Sequence, residues 1–336
     1  MLNIQNKIKE VVEQYQGSLS EEVITSTEPL VLRGLVKNWP MVEAACESAQ
    51  HAVDYLNKFS TDEPLTVYRG DASIDGRVFY NEDFSGFNFQ VDRLPMANIT
   101  AQLLGNGNQS ESPMMYVGST MIDKWLPGFR VQNDLPLNDH NPLVSIWMGN
   151  QSRIAAHYDF ADNIACCVAG RRRFILFPPD QLPNLYVGPL DFTPAGQPIC
   201  LVDFANPDYE KFPKFREALE KAQVVELQPG DAIRIPSMWW HHVEALDNFN
   251  VLVNYWWRNS PSFMGAPLNA LQHAMLGLRD LPPEQRVIWQ NIFKHYVFEP
   301  AEENFAHIPE GARGVLNSLS EESAQQIRML LQSRLK

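Results

Sequence analysis

The sequence has few cysteines, and none of them form the Cys-x-x-Cys spacing of redox and zinc sites. The four are Cys46, Cys166, Cys167 and Cys200, and the adjacent pair lies in an apolar, strand-like run. Buried, reduced thiols are therefore expected, which argues against a secreted fold held together by disulfides. We expect a cytoplasmic protein.

Excess positive charge and long apolar runs are also lacking. The 336-residue chain has a formal net charge of −13, so generic affinity for nucleic-acid phosphates or anionic membranes is not expected. Residues 171–173, all arginine, are the only tight basic cluster. No apolar stretch is long enough for a membrane span, and residues 1–10 carry charges where a signal peptide has an apolar core. The composition therefore indicates an ordinary globular protein.

Short strand-like segments crowd the middle of the chain. They lie at residues 143–148, 163–168, 173–177, 231–235 and 250–257, and a further one lies at 29–34. Turns rich in glycine and proline separate them. Many short strands with such turns favour a barrel or jelly roll over a parallel α/β sheet. We predict a mainly β fold.

The two ends of the sequence show helical spacing. Ile4, Ile8, Val11, Val12 and Tyr15 predict an N-terminal helix, and apolar stripes after residue 260 predict a helical region. Ser318 and Glu321 have the spacing of a capping box for the last helix. Residues 104–112 are predicted to form a mobile surface loop.

His157-Tyr158-Asp159 is the first pattern that carries chemistry. On a strand, residues two apart share a face, so His157 and Asp159 project together while Tyr158 points away. Two histidines and one carboxylate on one side of an iron leave positions open for a co-substrate and O₂. Of His241 and His242, only one can complete such a site, because neighbouring strand residues face opposite ways. Alone, a His-x-Asp triplet is a weak signal, since a histidine is more often structural.

Motifs in consistent order carry a resemblance to a known family. They are Asn163, Gly170, Arg173 and Leu176-Phe-Pro-Pro179, then Val202–Tyr209, Pro229-Gly-Asp231, Trp239-Trp-His-His-Val-Glu244 and Val253-Asn-x-Trp256. In these motifs the chain resembles the cupin-like JmjC hydroxylases, in particular their asparaginyl hydroxylases, from about residue 25 to 258. The resemblance implies a double-stranded β-helix (jelly roll) that uses Fe(II), 2-oxoglutarate and O₂. It assigns the iron to His157, Asp159 and His241, the histidine directly after the tryptophan pair.

The resemblance also implies a co-substrate pocket. Tyr116 matches the tyrosine that hydrogen-bonds the distal carboxylate of 2-oxoglutarate. Asn163 and Asn254 match asparagines of the same site, and Trp256 matches the aromatic ring near it. Arg172 stands where the family has its carboxylate-binding lysine.

The chain departs from the family at two positions of this pocket. Arg172 replaces the lysine, and Ile154 replaces the threonine that supports it. An arginine can still form a bidentate, charge-assisted pair with a carboxylate. Arg171 or Arg173 could serve instead.

The expected activity is hydroxylation of an amino-acid side chain in a protein or peptide. The alternatives are the same chemistry on a small metabolite or an RNA nucleoside, and a non-catalytic cupin that binds a metal or a small acid. The acidic charge argues against RNA. We expect an oxygenase domain at 1–258 and a helical region at 259–336, through which related hydroxylases form homodimers. Substrate contacts are expected in the loops between Asp75 and Asn108 and in the insert from Gln181 to Ala222.

Overall fold

The computed structural model describes residues 2–13, 17–106, 112–194 and 196–335. The chain forms two compact units, Met1–Arg258 and Asn259–Lys336. The strands are β1 Asn6–Lys7, β2 Lys9–Val11, β3 Leu30–Leu32, β4 Leu65–Gly70, β5 Arg77–Val78, β6 Phe89–Leu94, β7 Met114–Met121, β8 Leu143–Gly149, β9 Ser152–His157, β10 Asp162–Ala169, β11 Arg172–Phe177, β12 Gln223–Leu227, β13 Ala232–Ile235, β14 Trp240–Ala245 and β15 Asn250–Trp257. The helices are α1 Glu21–Thr25, α2 Pro40–Glu47, α3 Ala49–Asn57, α4 Met96–Asn106, α5 Ile122–Trp125, α6 Phe215–Lys221, α7 Pro267–Leu278, α8 Pro283–Phe293 and α9 Glu321–Arg334.

Two sheets make up the first unit. One has the strand order β1-β12-β11-β14-β9-β5, and the other has the order β2-β3-β13-β10-β15-β8-β7-β4-β6. Their central strands pair antiparallel, with crossovers between strands far apart in sequence. This is the arrangement of a jelly roll with added helices, so the predicted fold class is confirmed. The five central strand predictions are also confirmed, as β8, β10, β11, β13 and β15.

The core explains why the central strands contain so few charged residues. Every residue of β10 is buried, because one face packs on the helices of the first unit and the other faces the opposite sheet. On the inner side, Ala165 and Cys167 of β10 pack with Phe174 and Leu176 of β11. This layer between the sheets forms the floor on which the site described below is built.

The predicted N-terminal helix is wrong. Residues of this segment form β1, parallel to β12, and β2, parallel to β3. Ile8 is buried whereas Val12 is 86% exposed, so the apolar residues do not share one buried face. Tyr15 lies outside the described residues. Hydrogen bonding to two open sheet edges outweighs the helical spacing, because so short a helix has little stability of its own.

The predicted loop at 104–112 begins within a helix. Residues 104–106 belong to α4, so the prediction is wrong there, and residues 107–111 lie outside the described residues. Cys46 is exposed, Cys166, Cys167 and Cys200 are buried, and all four are free thiols.

The second unit contains α7, α8 and α9, at the apolar stripes seen in the sequence. The capping box of α9 lies two residues later than predicted. Ser320, rather than Ser318, accepts a hydrogen bond from the backbone N–H of Ser323, whose hydroxyl accepts from the backbone N–H of Ser320. Among the helices that the structure describes, none combines the length and apolarity needed to cross a membrane.

Candidate metal centre

The three predicted iron ligands come together where β9 and β14 pair. His157 ends β9 and lies directly opposite His241 in the antiparallel ladder, and Asp159 follows after the strand ends. One donor atom from each of the three residues lies within 4.8 Å of the other two. The Oδ2 atom of Asp159 is 3.7 Å from Nε2 of His241, and the imidazole centroids are 4.3 Å apart. This spacing suits one small cation held from one side.

Backbone carbonyls orient both imidazoles. Nδ1 of His157 lies 2.9 Å from the carbonyl oxygen of Ala155, and Nδ1 of His241 lies 3.0 Å from that of Trp239. A carbonyl only accepts, so each Nδ1 carries the proton and donates it, which leaves the Nε2 lone pair free for a metal. Burial, together with the neighbouring His157, lowers the pKa of His241 to about 4. His241 is therefore neutral at physiological pH, the form that binds metals.

A strained turn connects the two halves of the centre. Met238 has φ = 69°, a left-handed conformation that is rare for a non-glycine residue. Its N–H donates to the carbonyl of Asp159 at 2.8 Å, and the hydroxyl of Ser237 donates to the carbonyl of Phe160 at 2.9 Å. The turn before His241 is thus hydrogen-bonded to the segment that contains Asp159.

A buried ion pair supports the same turn. Arg234, 1% exposed, places Nη2 2.7 Å from Oδ1 of Asp162. The same carboxylate oxygen accepts the backbone N–H of Ser237 at 3.1 Å. The position of His241 therefore depends on a charge pair that lies away from the metal centre.

His242 points to the opposite side of β14. Its Nε2 is 3.2 Å from Oε1 of Glu244, and its ring stacks on Phe204 with centroids 4.3 Å apart. Of the two adjacent histidines, His241 is therefore the one that lies beside Asp159.

A cavity of about 220 Å³ opens beside the triad. Its walls are mainly apolar, and all five residues predicted for the co-substrate line it, namely Tyr116, Asn163, Arg172, Asn254 and Trp256. The amide of Asn254 donates to Oδ1 of Asn163 at 2.9 Å. Ile154, at the threonine position, also lines the cavity.

Arg172 is the cation that faces this cavity. It is 2% exposed, and among the described residues no carboxylate is paired with it. Its Nε is buried without a hydrogen-bond partner in the same part of the chain. Burial lowers the pKa of Arg172, yet an arginine stays charged in proteins. A buried guanidinium without a counter-ion is costly, so it fits a site that receives an anion.

The neighbouring arginines are already paired and do not line the cavity. Arg171 binds Asp247 at 2.8 Å, and Arg173 binds Glu244 at 2.7 Å. Strand alternation on β11 explains the difference, because Arg172 and Phe174 share the inner face.

The cavity wall also contains residues that the sequence did not single out, among them Tyr68, Trp147 and Gln197. Trp147 was placed on a strand, but nothing in its spacing showed which face of that strand would meet the cavity. Tyr68 and Gln197 come from segments far from the triad in sequence, so only the folded chain brings them there.

The residues present fit Fe(II) and 2-oxoglutarate. Two imidazole nitrogens and a carboxylate on one side of a metal match the donor set of non-haem iron oxygenases. The unpaired guanidinium of Arg172 and the phenol of Tyr116 offer charge and a hydrogen-bond donor to a carboxylate in the same cavity.

Comparison with known proteins agrees with this geometry. Residues 16–263 match the cupin-like domain family. The chain is 33% identical over 118 residues to lysine-specific demethylase JMJ31 of Arabidopsis thaliana, covering 35% of this chain and 21% of the relative. It is 32% identical over 145 residues to tRNA wybutosine-synthesizing protein 5 of Gallus gallus, covering 39% of this chain and 42% of the relative. It is 34% identical over 114 residues to human HSPB1-associated protein 1, covering 33% of this chain and 23% of the relative. The matched segments thus span less than half of each relative.

With its jelly roll, its triad and the match over most of its length, this chain belongs to the cupin-like domain family of JmjC type.

Proposed function

We propose that the protein is an Fe(II)- and 2-oxoglutarate-dependent oxygenase that hydroxylates an amino-acid side chain of a protein or peptide. One observation carries the proposal: the unpaired, buried guanidinium of Arg172 shares a cavity with His157, Asp159 and His241. A structural arginine would have a counter-ion, whereas a co-substrate site requires that this cation be left for the ligand.

Each residue has a defined task in this proposal. His157, Asp159 and His241 would hold the metal, and Arg172 would bind the distal carboxylate of 2-oxoglutarate. Bound iron, with 2-oxoglutarate and O₂, supplies the oxidation of a substrate C–H bond. Burial raises the pKa of Tyr116, so its phenol stays protonated and donates a hydrogen bond to the same carboxylate.

The polar and apolar parts of the wall have separate effects. The paired amides of Asn163 and Asn254 fix the floor of the pocket. Apolar side chains around them exclude water, which strengthens the charge interaction with Arg172. The chemistry therefore requires the protein to position the reactants rather than to supply a nucleophile.

The substrate class in this proposal rests on the net charge of the chain. Two relatives are named as a lysine-specific demethylase and as a tRNA wybutosine-synthesizing protein, so a protein and an RNA are the two substrate classes to compare. The net charge of −13 favours the protein. We place the oxygenase activity in residues 1–258.

Conversion of 2-oxoglutarate to succinate without substrate tests the chemistry. We expect slow turnover with Fe(II), and its loss together with iron binding when Asp159 is replaced by alanine. Asp54→Ala, which removes an exposed carboxylate bonded to Gln50, is the matched control and should retain both. No turnover and no binding of 2-oxoglutarate by calorimetry would refute an oxygenase and favour a metal-binding cupin.

We also propose that residues 259–336 mediate homodimerisation. Helices α7, α8 and α9 contain no buried residue within the described part of the unit. Leu276, Ile288 and Phe298 are 77%, 57% and 74% exposed. So much exposed apolar side chain is typical of an association surface. Light scattering should give twice the chain mass, and Leu276→Asp with Phe298→Asp should give the single mass; a wild-type monomer would reject the dimer.

A further inference from the structure

Four readily oxidised rings lie in series along one wall of the cavity. The ring centroids of Trp256 and Trp147 are 5.8 Å apart, those of Trp147 and Tyr116 are 5.9 Å apart, and those of Tyr116 and Tyr68 are 6.0 Å apart. All four side chains line the cavity that contains the triad. Rings at these separations are in van der Waals contact, so the series has no gap.

The series lies on the wall of the cavity that contains the triad and reaches toward the edge of the sheet. Tyr116, Trp147 and Trp256 line that cavity together with Asp159. Tyr68 is on β4, next to the outermost strand β6, and is only partly buried. Beyond Tyr68 the contacting ring is Phe89, with centroids 5.0 Å apart. Phenylalanine is much harder to oxidise than tyrosine or tryptophan, so the oxidisable part of the series ends at Tyr68.

The surroundings of the rings separate those that can lose a proton from those that cannot. The indole nitrogens of Trp147 and Trp256 are buried without a hydrogen-bond partner among the described residues. An indole that gave up an electron there would keep its proton, and its positive charge would move on to a neighbouring ring. Tyr68 is only partly buried and can instead release its phenol proton to water.

We propose that Trp256, Trp147, Tyr116 and Tyr68 form an electron path that protects the protein when O₂ is consumed without substrate. The inference rests on the proposed oxygenase activity. When O₂ and 2-oxoglutarate are consumed without substrate, bound iron would keep two oxidising equivalents. The rings would meet each equivalent with one electron, and water would supply one proton. Tyr68 ends the transfer as a phenoxyl radical, having lost its proton to water.

A solution thiol or ascorbate completes the reaction by returning one electron and one proton to Tyr68. Two such transfers would supply the two electrons and two protons that turn the remaining oxygen atom into water, and they would oxidise two thiols to a disulfide or one ascorbate to dehydroascorbate. Electrons and protons balance without any further reactant. Without the path, the same equivalents would oxidise side chains at the site.

The test is substrate-free turnover with Fe(II), 2-oxoglutarate and O₂, with and without ascorbate. Freeze-quench electron paramagnetic resonance should show a tyrosyl radical in the wild-type protein, and Tyr68→Phe should lose it. Tyr68→Phe and Trp147→Phe should inactivate several-fold faster and should no longer be protected by ascorbate. Tyr209→Phe, a partly buried tyrosine that packs on Phe215 instead, should behave as wild type. Wild-type inactivation rates and spectra in both path variants would overturn the proposal.

A second measurement separates this proposal from the oxygenase activity. In the metal-free protein, pulse radiolysis with azide radicals oxidises tryptophan directly, and transfer to tyrosine is followed by absorbance. Tyr68→Phe should reduce this transfer, and Tyr209→Phe should not. If 2-oxoglutarate is never consumed, the proposed function fails while radiolysis still decides the path. Equal transfer in wild type and Tyr68→Phe would show that the rings are packing alone.

Discussion

Replacing Arg172 by methionine should stabilise the ligand-free protein and weaken 2-oxoglutarate binding. Methionine has a similar length and no charge, so it removes a buried cation that lacks a counter-ion. Exchanging a buried charge for a well-packed apolar side chain is neutral or stabilising by about 1–4 kcal/mol. Two lost charge-assisted hydrogen bonds to the ligand cost about 3 kcal/mol, which is roughly a hundredfold in Kd.

These two effects have opposite signs, and chemical denaturation measures both. At a ligand concentration a hundred times the wild-type Kd, binding adds about 2.7 kcal/mol to the free energy of unfolding. The variant, with a Kd raised to that concentration, should gain only about 0.4 kcal/mol. Mn(II) replaces Fe(II) here so that no turnover occurs.

Arg173→Met is the matched control, because Arg173 has carboxylate partners and does not line the cavity. It should lower stability without changing the effect of the ligand. If instead Arg172→Met destabilises the ligand-free protein by several kcal/mol and still binds 2-oxoglutarate, then Arg172 is structural and its proposed role is wrong.

Other outcomes follow from the same geometry. His241→Ala should lose metal by elemental analysis, whereas His242→Ala, at the adjacent position on the opposite face, should keep it; equal loss would show that the pairing with Asp159 does not define the site. Asp162→Asn should lower the free energy of unfolding in urea by about 3 kcal/mol, because it leaves the buried Arg234 without its counter-ion, and an unchanged midpoint would contradict this. In native protein an alkylating reagent should modify Cys46 alone up to pH 10. Burial raises the pKa of the other three thiols, to about 12 for Cys167 and Cys200, so they stay protonated. Mass spectrometry of the intact chain would show a second adduct if these thiols ionised.

The triad could be predicted because the spacing of its residues along each strand already shows which side chains share a face. His157 and Asp159 have the two-residue spacing of one strand face, and the alternation of a strand separates His241 from His242. The register that sets His157 opposite His241 is long-range. Nothing local to either segment specifies it, so the distances between the ligands had to come from the structure.

The co-substrate wall shows where sequence reasoning stops. Alternation along β11 separates Arg172 from its neighbours, but which face turns inward depends on β12 and β14, the strands beside it. Tyr68 and Trp147 reach the cavity only through the order of strands in the nine-stranded sheet. The prediction of an N-terminal helix was wrong for a related reason. A short amphipathic helix has little stability of its own, whereas pairing with an open strand edge stabilises the segment more.

The first strands have a consequence for how molecules of this protein meet one another. Within a few residues, β1 pairs with the outer side of β12 and β2 pairs with the outer side of β3, so a single segment supplies one edge strand of each sheet. These edge strands have only 2 and 3 residues, which leaves little backbone for another chain to pair with. Uncovered strand margins are templates for pairing between chains. A segment that a truncation could easily remove therefore keeps neighbouring copies from joining their sheets, and shortened forms of the chain should aggregate by strand exchange even with the metal centre intact.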